Sequence, residues 1–328
     1  MSFSAMKILL LSGGVGGAKM AEGLYHSEYG KELSVIGNVA DDLLFHGLWV
    51  SPDIDTLTYT LADLIDTDKG WGQKDETNNT LNALEILGCE TWMYLGDKDF
   101  ATHIYRTQQK KSGISASVIA KNIARKMGVT ANILLPTDQV IQNSIHTEQG
   151  WLDFQSYFVK QGCQPEILDI RLTGIDDARP TQESLTAISE ADLIIIAPSN
   201  PIVSINPIVN VPGIREALKA ADAPVVAVSP IINGQTVKGP ADRMMTAMGF
   251  SNDVLGVAHC YEGLIDALVI DFEDKSLVSA LETFGIKVMV AQTRMNNRND
   301  KVSLAEQVVG EMSEVFGIKD VAQSVQEI

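Results

Sequence analysis

Seven short apolar runs recur along the chain, at 7–11, 33–36, 132–135, 193–197, 225–228, 267–270 and 287–290. None alternates apolar with polar residues, and turn-forming residues bound each of them. Strands covered on both faces have this pattern, whereas a half-exposed strand alternates. Helix-like stretches separate most of the runs. The expected fold class is therefore α/β, with a mainly parallel, helix-covered sheet.

The stretch 56–127 keeps a different rhythm. Leu57, Leu61, Leu64 and Ile65, then Leu81 and Leu84, then Ile119, Ile123 and Met127 follow helical spacing, and Gly88 and Gly128 stand where helices stop. This predicts an inserted helical subdomain over 56–127, with 1–55 and 128–328 forming the sheet-containing core and a binding cleft between the two. The polar stretch MNNRND at 295–300 reads as an exposed loop before the last helix.

The first run breaks into SGGVGGAK at 12–19, directly before a helix-like segment. Gly13, Gly14, Gly16 and Gly17 allow positive φ and close backbone approach, so that N–H groups at a helix start could converge on phosphate, with Lys19 adding a charge one turn in. The spacing fits neither the Walker A pattern nor G-x-G-x-x-G. Either this is a phosphate loop of another kind or it is a tight structural turn.

Carboxylates gather after the second run, in NVADD at 38–42 and SPDIDT at 51–56. Asp41, Asp42, Asp53 and Asp55 beside a phosphate loop suit Mg²⁺, while Asp53 or Asp55 could equally cap the helix that starts there. LGDKDFATHIYRTQ at 95–108 holds Asp97, Lys98, Asp99, His103 and Arg106. With a helix start near Asp99, His103 and Arg106 fall on neighbouring faces and could reach an anion; a solvated, salt-bridged helix start is the plainer alternative. APSNP at 197–201 and SPIING at 229–234 follow strand-like runs, so Ser199, Asn200, Ser229 and Asn233 either meet a base, sugar or phosphate or close turns. KGPADRM at 238–244 adds Lys238, Asp242 and Arg243, whose basic side chains could also meet phosphate. There is no nucleophile elbow, and the one cysteine beside a histidine, Cys260 next to His259, sits in helical or loop-like sequence, so nothing supports covalent catalysis. Phosphoryl-type transfer, which works by positioning and charge neutralisation, fits the set best.

The charge balance narrows the partners. With 328 residues and a formal net charge of −17, the chain lacks the clustered basic residues of a nucleic-acid-binding surface. No stretch reaches membrane-span length, and the three scattered cysteines, Cys89, Cys163 and Cys260, suit a reducing compartment, so a cytoplasmic protein is expected.

Taken in order, SGGVGGAK, NVADD, SPDIDT, GWG at 70–72, the LGDKD–ATH segment, APSNP with IVSINPI, and SPIING with KGPADRM resemble the 2-phospho-L-lactate transferase (CofD-like) family of coenzyme F-420 biosynthesis, over nearly the whole chain. The resemblance implies a Rossmann-like three-layer α/β/α core and a homodimer. It implies transfer of a 2-phospholactyl or phosphoenolpyruvyl group from a guanosine diphosphate-linked donor to the deazaflavin Fo, with Mg²⁺ as cofactor and GMP leaving. By the same resemblance, Gly13, Gly14, Gly16, Gly17, Lys19, Ser199, Asn200 and Lys238 belong to the donor side. Asp41 and Asp55 hold metal or the acceptor hydroxyl, and Tyr94, Lys98, His103 and Arg106 line the deazaflavin side. Many relatives have arginine where this chain has Lys98, which puts a bidentate contact there in doubt. A related group of CofD-like regulatory proteins that bind nucleotide sugars without transferase activity is the alternative.

Overall fold

The computed structural model describes residues 5–318, so the outermost ends of the expected core segments, 1–4 and 319–328, lie outside the described residues. All seven apolar runs form strands of one sheet: β1 Lys7–Ser12, β2 Glu32–Gly37, β3 Asn132–Leu134, β4 Leu193–Ile196, β5 Val225–Val228, β6 Ala267–Asp271 and β7 Lys287–Ala291. The spatial order is β7-β6-β5-β4-β1-β2-β3, and every neighbouring pair is parallel. Helices cover both faces, giving the Rossmann-like α/β fold. In β1, Leu9, Leu10 and Leu11 are essentially inaccessible, as are Ile194, Ile195 and Ile196 of β4. Double-sided burial explains the unbroken apolar runs.

Strand order reverses between β1 and β4. In doubly wound sheets a crevice opens at that point beyond the carboxyl ends of the strands. Helix α1, Gly14–His26, leaves the end of β1 and packs against both α2, Pro52–Leu61, and the C-terminal helix Arg298–Phe316.

Between β2 and β3 lie a hairpin, Leu43–Phe45 with Leu48–Val50, then α2, α3 Asn79–Ile86, α4 Asp97–Lys111 and α5 Ala116–Lys126. Leu43, Phe45, Val50, Leu81, Met93, Leu95 and Phe100 form a small core separate from the main one. Helix α5 packs Ala120 and Ala124 into the main core. A three-stranded antiparallel sheet, from Gln142–Thr147, Gly150–Asp153 and Asp169–Thr173, follows β3. Its short, polar strands left no run in the sequence pattern.

Candidate active site

A cleft of about 420 Å³ opens where the sheet order reverses, lined by the glycine loop, the first turn of α2, the turn after β4 and the inserted block. At the glycine loop, close contacts with backbone and side chains leave no room for a Cβ at two positions. A Cβ on Gly16 would sit 2.2 Å from the Pro198 carbonyl oxygen, and one on Gly17 would sit 2.4 Å from Ser12 Oγ. Gly14 has φ of +62° and open space beside it, so there the need is conformational.

Ser199 is buried, donates to the Gly13 carbonyl at 2.7 Å and accepts from the Gly13 N–H at 3.2 Å. Its hydroxyl therefore fixes the loop's shape. Asn200 caps the following helical turn, accepting from Ile202 N–H at 2.9 Å. Ser229 closes a turn to Ile231 in the cleft wall, whereas Asn233, Asp242 and Arg243 lie outside the lining.

Two lysines line the same cleft. Lys19 donates to the Met295 carbonyl at 2.8 Å; burial, then repulsion from Lys301 and Lys238, lowers its pKa. Lys238 reaches the Lys69 carbonyl across the cleft. Either ammonium can move from a carbonyl to a phosphate oxygen.

The carboxylates divide into three environments. Asp41 and Asp53 share the Asn38 amide, whose Nδ2 lies 3.0 Å from Asp41 Oδ2 and 2.9 Å from Asp53 Oδ2. Asn143 Nδ2, from the antiparallel sheet, donates to the other Asp41 oxygen at 2.7 Å, and Gly14 N–H supports Asp53. Burial raises both pKa values, and the charge on Asp53 raises that of Asp41 further. A pair of neighbouring carboxylates, Asp41 buried and Asp53 half-buried, with no cationic partner among the described residues, is electrostatically prepared for a cation.

Asp55 is different. Arg106 engages both of its oxygens, NH1 at 3.0 Å to Oδ2 and NH2 to Oδ1, and both residues are buried. Its charge is already neutralised, so the arrangement separates Asp55 from the cation-ready pair. Asp42, the third environment, faces away from the cleft and accepts from Trp49 Nε1 and Ser51 Oγ at 2.8 Å each. Burial pushes its pKa up to about 7.

Another part of the cleft wall is aromatic. Trp71, Trp92, Tyr94, Phe154 and Phe158 line it, and Trp71 meets Tyr94 edge-on with ring centroids 5.9 Å apart. Lys69 Nζ lies 5.2 Å from the Tyr94 ring centre and 5.5 Å from that of Trp71. His103 and Asp99 sit in the wall, and burial raises the Asp99 pKa to about 6. Such a surface suits a planar ring system.

Of the residues expected in the site, the cleft brings together Gly13, Gly14, Gly16, Lys19, Asp41, Asp55, Tyr94, His103, Ser199, Asn200 and Lys238. Gly17, Lys98 and Arg106 are not on its wall. Gly17 is consumed by close packing against Ser12 and Ser199. Lys98, in the first turn of α4, turns outward to the Lys74 carbonyl at 2.8 Å, away from the deazaflavin side expected for it. Arg106 stands behind Asp55, with two guanidinium nitrogens on its carboxylate. Asn38 and Asn143 escaped the sequence reading, because an amide gripping a carboxylate from another element leaves no local spacing.

The sequence model described as "2-phospho-L-lactate transferase CofD" matches residues 8–308. The chain belongs to the 2-phospho-L-lactate transferase CofD family. The 2-phospho-L-lactate transferase of Methanosarcina acetivorans is 38% identical over 303 residues, spanning 92% of this chain and 98% of that protein. The phosphoenolpyruvate transferase of Streptomyces griseus is 36% identical over 316 residues, spanning 94% and 99%. A solved UPF0052-family structure from Bacillus halodurans covers 94% of this chain and 100% of its own at a TM-score of 0.61 and 18% identity, a likeness of fold. As a CofD-family transferase, the chain resembles relatives named for two different three-carbon acids to nearly the same degree. Among the described residues no helix is long and apolar enough to cross a membrane.

Proposed function

We propose that the protein transfers a 2-phospholactyl or phosphoenolpyruvyl group from a guanosine diphosphate-linked donor to a hydroxyl of Fo, releasing GMP. The observation that carries this reading is the make-up of one cleft: glycine loop, lysines and carboxylates share it with a wall of aromatic rings, Trp71 and Tyr94 meeting edge-on. The glycine loop takes the donor's phosphates, with Lys19 and Lys238 neutralising charge that builds on the departing phosphate. The aromatic wall takes the deazaflavin ring, which places the sugar-alcohol chain of Fo toward the carboxylates.

Mg²⁺ fits Asp41 and Asp53. Among the described residues no cluster of three or more acidic, histidine or cysteine side chains forms a complete metal cage. Magnesium does not require one, since it is commonly held by one or two carboxylates together with substrate phosphates and water. When bound, it would supply charge neutralisation on the pyrophosphate oxygens. Asp55, held rigid by Arg106, is left to orient the incoming hydroxyl.

Titrating Fo into the protein and following deazaflavin fluorescence tests the acceptor side directly. Saturable binding that weakens at least tenfold in Trp71→Ala is expected for a stacked ring. Absence of binding in the wild-type protein would remove Fo as the acceptor.

A further inference from the structure

The hydrogen bonds behind the cleft wall dictate which nitrogen of His103 carries its proton. His103 Nδ1 lies 3.1 Å from Arg106 NH1. The guanidinium has only N–H donors and no lone pair to offer, so Nδ1 must be the acceptor. The two protons on NH1 then point chiefly at Asp55 Oδ2, 3.0 Å away, and His103 Nδ1, 3.1 Å away, with the Trp49 carbonyl a longer third acceptor at 3.4 Å. An imidazolium is excluded from this arrangement, because it would set N–H against N–H. The ring is neutral with its proton on Nε2.

That Nε2–H has no partner among the described residues and is itself almost wholly covered, while the His103 residue, 2% exposed, contributes to the cleft wall. Buried polar groups are normally satisfied, so an unpartnered donor just beneath a binding wall is a position that a ligand acceptor can fill once neighbouring side chains of the wall move aside. We propose that His103 is a specificity-determining residue that donates one hydrogen bond from Nε2–H to an oxygen lone pair of the acceptor substrate, and that Arg106 is the positioning residue that fixes this tautomer. The inference rests on reading the aromatic wall as the acceptor side. It also assigns His103 no role as the base for the hydroxyl, since Nε2 has no free lone pair.

The test is nitrogen-15 NMR of the histidines in the full-length protein, before and after saturation with Fo. The chain has five histidines, so the His103→Gln spectrum assigns the one that matters. The expected result is a neutral ring protonated on Nε2 at pH 7, whose Nε2–H resonance moves on Fo binding. A proton on Nδ1, an imidazolium, or an Nε2–H unmoved by bound Fo overturns the proposal. Failure of Fo to bind at all defeats the acceptor reading and the recognition role with it, while the substrate-free spectrum still decides the tautomer. In turnover, His103→Leu is expected to raise the KM for Fo about tenfold with the donor KM unchanged, and His103→Gln, which keeps an N–H donor, to recover part of it. Equal rises in both KM values would mark His103 as merely structural.

Discussion

Asp41 and Asp53 hang on one nitrogen, the Nδ2 of Asn38, at 3.0 and 2.9 Å, and neither has a cationic side chain to balance it. Their charge is uncompensated in the protein itself. Asp41→Asn and Asp53→Asn are therefore expected to cut turnover at least a hundredfold and to raise the Mg²⁺ concentration needed for half-maximal rate. Thermal stability without metal should hold or rise in Asp53→Asn, which removes a repelling charge, whereas Asp41→Asn also sets an amide N–H against the Asn38 or Asn143 amide and should lose some of that gain. Magnesium titration of the steady-state rate, with a melting curve beside it, checks both halves.

Asp55 should behave in the opposite way. Its carboxylate compensates the buried guanidinium of Arg106, and removing one partner of such a pair strands the other. Asp55→Asn is expected to lose about 3 kcal/mol in urea unfolding, where Asp53→Asn loses little. Equal stability losses in the two variants would contradict the division of roles.

The glycine loop offers a contrast between packing and conformation. Gly16→Ala drives a methyl against the Pro198 carbonyl and should displace the loop, costing several-fold in donor KM and about 1–3 kcal/mol in stability. Gly14→Ala meets open space and should cost only about 1 kcal/mol, from its left-handed φ. Melting temperatures and donor KM values for the two variants check the ranking.

Asp42 supplies a pH dependence of stability. Its pKa rises from 3.8 in the unfolded chain to about 7 in the native one, so between these values the native state holds the extra proton. Stability from this group is thus present below about pH 4 and is lost as pH rises toward 7, by at most about 4 kcal/mol. Asp42→Asn should flatten that slope and gain about 2 kcal/mol at pH 8, read from metal-free urea unfolding at a series of pH values.

The sheet was legible because strands buried on both faces leave unbroken apolar runs, and each of the seven runs falls on a strand of the sheet. The site was legible in its types of residue and less so in its pairings. Asp53 and Asp55 are adjacent in composition, yet two residues along a helix differ by about 200° in direction, so one meets Asn38 and the other Arg106. Asn143 reaches Asp41 from 102 positions away, on a strand whose polar residues hide it. Lys98 and His103 share a helix, but only His103 faces inward. Helical spacing shows which residues are neighbours, and tertiary packing decides which of them meet the cleft.

Transfer to Fo is read from a chromatographic time course of Fo incubated with the protein, Mg²⁺ and each guanosine diphosphate-linked donor in turn, with GMP quantified in the same samples. The prediction is a more acidic deazaflavin product formed one-for-one with GMP, abolished by chelation and restored by added Mg²⁺. Fo unchanged with every donor, or GMP released without a new deazaflavin, would contradict it.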